Sequence, residues 1–129
     1  MIIDSSALIA ILENEPESRA FRAAVERDPV RLISAATMIE ASMVALGRQG
    51  ETGLATLNVF CDKADIATAS LKPEHVELAV DAFRRFGKGR HPAGLNFGDC
   101  FSYALAKATG EPLLFKGGDF SRTDIARVG

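Results

Sequence analysis

Four acidic residues in this sequence stand where predicted strands end or predicted helices begin. They are Asp4, Glu40, Asp99 and Asp119. Carboxylates a few ångströms apart cannot all stay ionised without a counter-charge, and a divalent cation is the simplest source of one. Oxygen ligands without His or Cys favour Mg²⁺ or Mn²⁺ over Zn²⁺. These acids therefore predict a divalent-metal site suited to phosphodiester hydrolysis.

The elements that must position these acids alternate short apolar runs with longer helical patterns. The predicted strands are 1–3, 30–34, 66–71 and 112–116. The predicted helices are 7–12, 16–26, 36–46, 51–63, 73–86 and 97–107. Ser5 or Ser6 is expected to cap the first helix. Strands separated by helices predict an α/β/α sandwich with a short central parallel sheet.

This topology brings the four acids to one edge of the sheet. In an open parallel sheet, ligands bind beyond the carboxyl ends of the strands, where the crossover helices also begin. Asp4 and Asp119 follow the first and last strands, and Glu40 and Asp99 lie in the early turns of helices. Asp4 as a helix cap, Glu40 as a solvated side chain and Asp119 as a turn residue are the structural alternatives. Because all four acids are expected on one edge, a shared metal site is favoured over these separate alternatives.

A basic run lies just before Asp99, and no acid interrupts it after Asp81. Its candidates for contacts with a phosphate backbone are Arg84, Arg85, Lys88 and Arg90, with Lys116 as another close to Asp119. Ser6 is a further candidate, through a metal-bound water. Phosphate binding is one interpretation of the run. A solvated loop that ends an amphipathic helix is the other, and both fit the sequence equally.

Aromatic and histidine side chains are expected to serve the fold. Phe83, Phe86 and Phe97 could stack on bases, but their helical spacing favours the core, as does that of Tyr103. His75, at the start of a surface helix, is expected in solvent. Apolar surface for a dimer or a partner segment is expected on the first helices and on 51–63.

The composition of the 129-residue chain narrows the classes of protein. With 17 acidic and 15 basic side chains, the net charge is −2, so any nucleic-acid binding must use a local patch. Cys61 and Cys100 have no spacing typical of a structural zinc site. The N-terminal segment fits neither a signal peptide nor a membrane span, so we expect a cytoplasmic protein. The length predicts a single domain, residues 1–129.

Three segments resemble the PIN-domain ribonucleases, specifically the VapC-type toxins of type II toxin–antitoxin pairs. They are MIIDSSALIAIL, SAATMIEAS and LNFGDCFSYALAKATGEPLLFKGGDFSRTDI, and the similarity spans residues 1 to about 125. The resemblance implies an endoribonuclease dependent on Mg²⁺ or Mn²⁺, dimeric, and inhibited by a cognate VapB-type antitoxin. It carries over Asp4, Glu40 and Asp99 as metal-site acids. Many relatives have an acid where Gly118 stands, so Asp119 is the candidate for the fourth acid and Asp124 is the alternative.

The resulting hypothesis is metal-assisted hydrolysis of RNA. Asp4 and Asp99 hold the cation directly, and Glu40 and Asp119 complete its shell or hold bound waters. A phosphatase of the haloacid-dehalogenase type needs an acid where Ser6 stands, so it is disfavoured. The alternative from another class is a PIN-like module that binds protein without cleaving RNA.

Overall fold

The computed structural model describes residues 1–129 as a four-stranded sheet between two layers of helices. The strands are β1 (Ile2–Ile3), β2 (Leu32–Ser34), β3 (Ala67–Ala69) and β4 (Leu113–Leu114). The helices are α1 (Ser5–Leu12), α2 (Ser18–Arg27), α3 (Ala35–Lys63), α4 (Pro73–Phe86) and α5 (Phe97–Thr109), followed by one 3-10 turn, Phe120–Arg122. All strand pairs are parallel, in the order β3-β2-β1-β4. The predicted fold class is confirmed.

Alternation along the strands divides the core into two layers. Ile3 and Ile33 pack in a cluster with side chains of α1, α2 and α3. Ile2 and Leu113 point to the opposite face and pack in a second cluster with side chains of α4 and α5. Successive strand residues face opposite sides of a sheet, so even two-residue strands contribute to both layers. This packing fixes the starts of α3 and α5 over the same edge of the sheet.

The start of α1 differs from the prediction, whereas the division of α3 agrees with it. The cap of α1 is Asp4, whose carboxylate accepts a hydrogen bond from the Ser6 backbone N–H. The prediction of a serine cap was wrong because both serines already lie in the first helical turn. The two helices predicted over 36–46 and 51–63 are confirmed: α3 consists of two helical segments that meet at a kink at Gly50. Gly50 has φ 64° and ψ −156°, a conformation that costs a glycine little.

Several predicted burials were wrong. Phe97, at the start of α5, is 80% exposed and Phe83 on α4 is also exposed, because no element covers the apolar face that they share. His75 is buried, 4% exposed, and its Nδ1 accepts a hydrogen bond from the Lys72 backbone N–H at 3.3 Å. Tyr103 is buried as expected.

The exposed apolar surface lies only in part where it was expected, with Val59 exposed in 51–63. The apolar side chains of α1 from Ala7 to Ile11 are buried, so α1 offers no such surface. Exposed apolar residues instead lie on the first half of α3, which carries Ile39, Met43 and Leu46, and along α4. No helix has both the length and the apolar character that a bilayer span requires.

Candidate active site

Asp4 stands directly after β1 and is buried at the carboxyl edge of the sheet. Its backbone N–H donates to the Leu114 carbonyl at 3.0 Å, which joins the residue to β4. Its Oδ2 accepts from the Ser6 backbone N–H at 3.1 Å and from Ser6 Oγ at 2.6 Å. Its Oδ1 accepts from Ser102 Oγ at 2.5 Å. The capping role of Asp4 is therefore real, but it involves only one carboxylate oxygen.

Glu40 reaches the same edge from the second turn of α3. Ser5 Oγ donates to its Oε1 at 2.7 Å. The other oxygen, Oε2, lies against Gly98 in the first turn of α5, where an added Cβ would overlap the carboxylate. Only a glycine at position 98 allows this approach, and it brings the Glu40 carboxylate next to the residue that precedes Asp99.

Asp99 is held in the first turn of α5 by a reciprocal cap. Its backbone N–H donates to Asn96 Oδ1 at 2.9 Å, and its Oδ2 accepts from the Asn96 backbone N–H at 3.0 Å. Burial raises the pKa of Asp99 to about 6, although the Asn96 hydrogen bond acts against this. The negative charges of Asp4, Asp119 and Glu40 are smaller contributions to the same raised pKa. Each of the other three acids thus lies near enough to destabilise the charge on Asp99.

Asp119 lies on the exposed segment between β4 and the 3-10 turn. The chain turns toward it at Gly117, which has φ 97°, a value that suits a glycine. At Gly118, where many relatives have an acid, an added Cβ would meet only Ser121 Oγ, at 3.9 Å. The negative charge of Asp119 contributes to the raised pKa of Asp99, so Asp119 lies within electrostatic range of that acid. We call these four residues, Asp4, Glu40, Asp99 and Asp119, the acidic edge.

Asp124, the other candidate for the fourth acid, lies in a different environment. Its Oδ1 accepts from the Tyr103 hydroxyl at 2.8 Å, and its Oδ2 pairs with Lys107 at 2.7 Å and with Arg85 at 3.5 Å. Burial alone would raise the pKa of Asp124, but the bonds from Lys107 and Tyr103 outweigh it and hold the pKa below its usual value. The structure therefore does not bring Asp124 to the acidic edge. We call Asp124, Tyr103, Lys107 and Arg85 the Asp124 network.

The acidic edge contains negative charge without paired positive charge. None of its four carboxylates takes part in any of the ion pairs of the structure. Their all-oxygen donor set fits a hard divalent cation such as Mg²⁺ or Mn²⁺. In this conformation no three of them are close enough to hold one metal ion together. Like charges without a cation between them repel, and the spread of these carboxylates agrees with that repulsion.

The basic candidates fall into paired and unpaired groups. Arg84 pairs with Asp81 at 3.2 Å, and Arg85 pairs with both Asp81 and Asp124. Lys88 and Arg90 are exposed and have no carboxylate partner. They lie in the loop that precedes α5. Of the predicted phosphate contacts in this run, Lys88 and Arg90 are thus the two free to bind an anion.

Lys116 and Ser6 lie beside the acidic edge but are already engaged. The Lys116 ammonium pairs with Glu15 and with Glu17. Its backbone N–H donates to Ser6 Oγ at 3.0 Å, while that hydroxyl donates to Asp4. Ser6 therefore orients Asp4 and ties it to the chain after β4. Contact of either residue with substrate stays a prediction.

Sequence reasoning missed the side chains that hold the acids in place. Ser5, Asn96 and Ser102 each bond to an acid of the edge. Part of the signal was available, because Asn96 and Asp99 have the spacing of a reciprocal helix cap. Ser102 lies one helical turn beyond Asp99, a spacing that places two side chains on one helix face. Its bond to a residue 98 positions away could not be read from the sequence.

Known proteins resemble this chain over nearly its whole length. The model of the PIN domain family matches residues 1–126. Ribonuclease VapC30 of Mycobacterium tuberculosis is 49% identical over 128 residues, which cover 99% of this chain and 98% of that protein. Ribonuclease VapC of Mycolicibacterium smegmatis is also 49% identical over 128 residues, with 99% of each chain covered.

Solved structures share the fold at much lower identity. The crystal structure of Mycobacterium tuberculosis VapC20, described as a sarcin-ricin loop cleaving toxin, matches with a TM-score of 0.79 and 17% identity, covering 98% of this chain and 97% of that one. A toxin–antitoxin complex from Klebsiella pneumoniae matches with a TM-score of 0.69 and 18% identity, covering 95% and 92%. These two likenesses concern the fold alone.

Proposed function

Since this chain belongs to the PIN domain family and, within it, to the VapC ribonucleases, we propose that it cleaves RNA as the toxin of a toxin–antitoxin pair. Its acidic edge is proposed to bind Mg²⁺ or Mn²⁺. The observation that carries the metal assignment is the state of Asp99, whose pKa is raised by burial and by three carboxylates with no cation paired to any of them. Such a group is typical of a functional site.

The four acids have different roles in this proposal. Asp4 and Asp99 hold the cation, and Glu40 and Asp119 complete its shell. The cation supplies Lewis-acid chemistry, activating water and offsetting the negative charge of the scissile phosphate. Ser6 holds Asp4, and Ser5 holds Glu40, in the orientations described above. Asp119 lies on the most exposed of the four segments, so it is the acid most open to solvent and to substrate.

RNA binding is proposed to use the loop that precedes α5. Lys88 and Arg90 have no carboxylate partner, so an approaching phosphate does not have to displace one. Arg84 lies next to them and exposes most of its side chain despite its pair with Asp81. Phosphate contacts of this kind weaken as salt concentration rises.

A homodimer is proposed through the apolar face of α4 and the start of α5. Val76, Val80, Phe83 and Phe97 on this face are exposed. They line an almost wholly apolar hollow of about 500 Å³. Exposed apolar surface of this continuity is typical of a contact with another protein. Sedimentation of the native protein and of Phe97→Glu tests this part, with a dimer expected for the first and a monomer for the second.

The antitoxin is proposed to cover the first half of α3. Ile39 and Met43 are exposed there, and they stand on either side of Glu40 in the sequence. A segment that buries these two side chains would lie beside the acidic edge and restrict the approach of RNA. The test is cleavage by Met43→Glu in the presence of the cognate antitoxin, which should inhibit the native protein but not this variant.

The experiment that tests the catalytic proposal is RNA cleavage by the purified protein with controlled divalent metal. Cleavage in Mg²⁺ or Mn²⁺ that stops with EDTA and returns with added metal is the expected result. Tight binding of a protein partner with no cleavage in any metal would instead support the non-catalytic module.

A further inference from the structure

Two buried hydroxyl groups lie behind Asp4, on the side away from solvent. Ser102 Oγ donates to Asp4 Oδ1 at 2.5 Å, and Ser102 is 0% exposed. Thr37 Oγ1 lies 3.3 Å from Ser102 Oγ and is also buried. We propose that Ser102 is a positioning residue that orients the Asp4 carboxylate for cation binding, with Thr37 orienting Ser102. This inference rests on the proposed function.

The direction of both hydrogen bonds follows from the number of available hydrogens. A serine hydroxyl has one hydrogen, and a carboxylate can only accept. Ser102 therefore uses its hydrogen on Asp4 and must accept from Thr37. The chain of donors runs from Thr37 through Ser102 to Asp4, so Thr37 fixes the hydroxyl rotor of Ser102. Because these side chains are buried, each hydrogen bond is stronger than the same bond would be in water.

The positions of the two hydroxyls along their helices match those of the acids. Thr37 lies three residues before Glu40 on α3, and Ser102 lies three residues after Asp99 on α5. Residues three apart share one face of a helix. The pair of hydroxyls thus joins the first turns of α3 and α5 to Asp4 at the end of β1. A change in this pair would alter where the carboxylates stand relative to one another.

The hydrogen bonds also indicate which Asp4 oxygen is available to a cation. Oδ2 already accepts two bonds, both from Ser6, whereas Oδ1 accepts only the bond from Ser102. Each carboxylate oxygen has about two lone-pair sites. Oδ1 therefore keeps a free site, and Ser102 sets the direction in which that site points. A residue that merely filled space behind Asp4 would not need a hydroxyl.

The test is the affinity of the purified protein for Mn²⁺, measured by calorimetry, in the native chain and three variants. Ser102→Ala removes the donor to Asp4, and Thr37→Val removes the second hydroxyl with little change of shape. Ser34→Ala is the matched control, because Ser34 is buried at 2% exposure and its hydroxyl has no hydrogen-bond partner. Loss of a residue that orients a metal ligand typically weakens metal binding about tenfold or more. Ser102→Ala should show this loss, and Ser34→Ala should bind like the native protein.

The outcomes separate this inference from the function on which it rests. Equal Mn²⁺ affinity in the native protein and in folded Ser102→Ala would overturn the inference and leave the metal site standing. A similar loss in Ser34→Ala would also overturn it, because the effect would then be one of general packing. No Mn²⁺ binding by the native protein would overturn the metal site and the inference together. If circular dichroism shows Ser102→Ala unfolded, Thr37→Val decides, and unchanged affinity in that variant would overturn the inference.

Discussion

Two groups of residues, the acidic edge and the Asp124 network, each include side chains of α5, and the pKa values of their acids are shifted in opposite directions. At the start of the helix, Asp99 belongs to the acidic edge, where no carboxylate has a paired cation and its pKa rises to about 6. Further along, Tyr103 and Lys107 belong to the Asp124 network, in which hydrogen bonds and an ion pair lower the pKa of Asp124. Both groups are partly buried, so burial alone does not separate them.

The difference shows how a structural acid can be told from a functional one in this molecule. The Asp124 network is satisfied within the chain, so it ties the C-terminal segment to α4 and α5 without any ligand. In the acidic edge, the like charges disfavour one another's ionised forms. No basic side chain of the protein pairs with these carboxylates to offset that unfavourable energy. Such an arrangement persists where something outside the chain supplies the missing charge. Substitutions in the two groups should therefore have different consequences.

The largest expected effect is on cleavage. Asp99→Asn and Asp4→Asn should each lower kcat/KM for RNA by about 1,000-fold, because a metal contributes several kcal/mol to catalysis. Asp124→Asn should leave kcat/KM close to that of the native protein. Cleavage of a labelled RNA in Mg²⁺ measures all three. Comparable losses in Asp99→Asn and Asp124→Asn would remove the distinction between the two groups.

The next largest effect is on the free energy of unfolding. Here the Asp124 variant should be affected more than the Asp99 variant. Asp124→Asn should lower the free energy of unfolding by about 1–2 kcal/mol, because the variant loses charge-assisted bonds. Their contribution is modest because the site is partly exposed to solvent. Tyr103→Phe keeps the buried ring and should cost about 1 kcal/mol. Asp99→Asn should cost nothing, or should stabilise, when metal is absent. Urea unfolding in EDTA provides the comparison, and a strongly destabilised Asp99→Asn would contradict it.

The smallest expected effect is on the pH dependence of the free energy of unfolding of the metal-free protein. The pKa of Asp99 is about 6 in the folded chain against 3.8 as its ordinary value, so the folded state binds the proton more tightly. The contribution of Asp99 to the free energy of unfolding is therefore present at low pH and lost as pH rises from about 4 through about 6. Asp124 has a lowered pKa, so its contribution is present at neutral pH and lost as pH falls below 3.8.

The measurement is urea unfolding in EDTA from pH 3 to pH 7 for the native protein, Asp99→Asn and Asp124→Asn. Subtracting each variant from the native protein isolates the two contributions. The free energy of unfolding of the native protein minus that of Asp99→Asn should decline as pH rises toward neutral. The same difference for Asp124→Asn should decline as pH falls toward 3. Parallel curves would mean that the two acids have similar environments.

The sequence predicted most of the architecture because the signals were local. Apolar runs of two to five residues marked the strands, and Pro73 and Gly110 marked a helix start and a helix end, both of which the structure confirms. The parallel sheet then followed from the alternation of strands and helices. The exposed state of Phe97 could not be predicted, because periodicity identifies an apolar face without revealing whether another element covers it.

Some features of the candidate site could likewise be predicted from the sequence, and others could not. That Asp4, Glu40 and Asp99 approach one edge followed from topology, since strand ends and helix starts meet there. The choice between Asp119 and Asp124 did not, because it depends on which long side chains reach Asp124 from α4 and α5. The Gly98 contact with Glu40 and the Ser102 bond to Asp4 are likewise long-range packing events, without a signature in neighbouring residues.

The most direct test of the central claim, that the acidic edge binds a divalent cation, is the anomalous diffraction of a crystal of the native protein grown with Mn²⁺. We predict an anomalous peak within coordination distance of Asp4 and Asp99, and none at Asp124. A well-ordered structure with no peak at Asp4 and Asp99, or with its peak at Asp124, would contradict the claim.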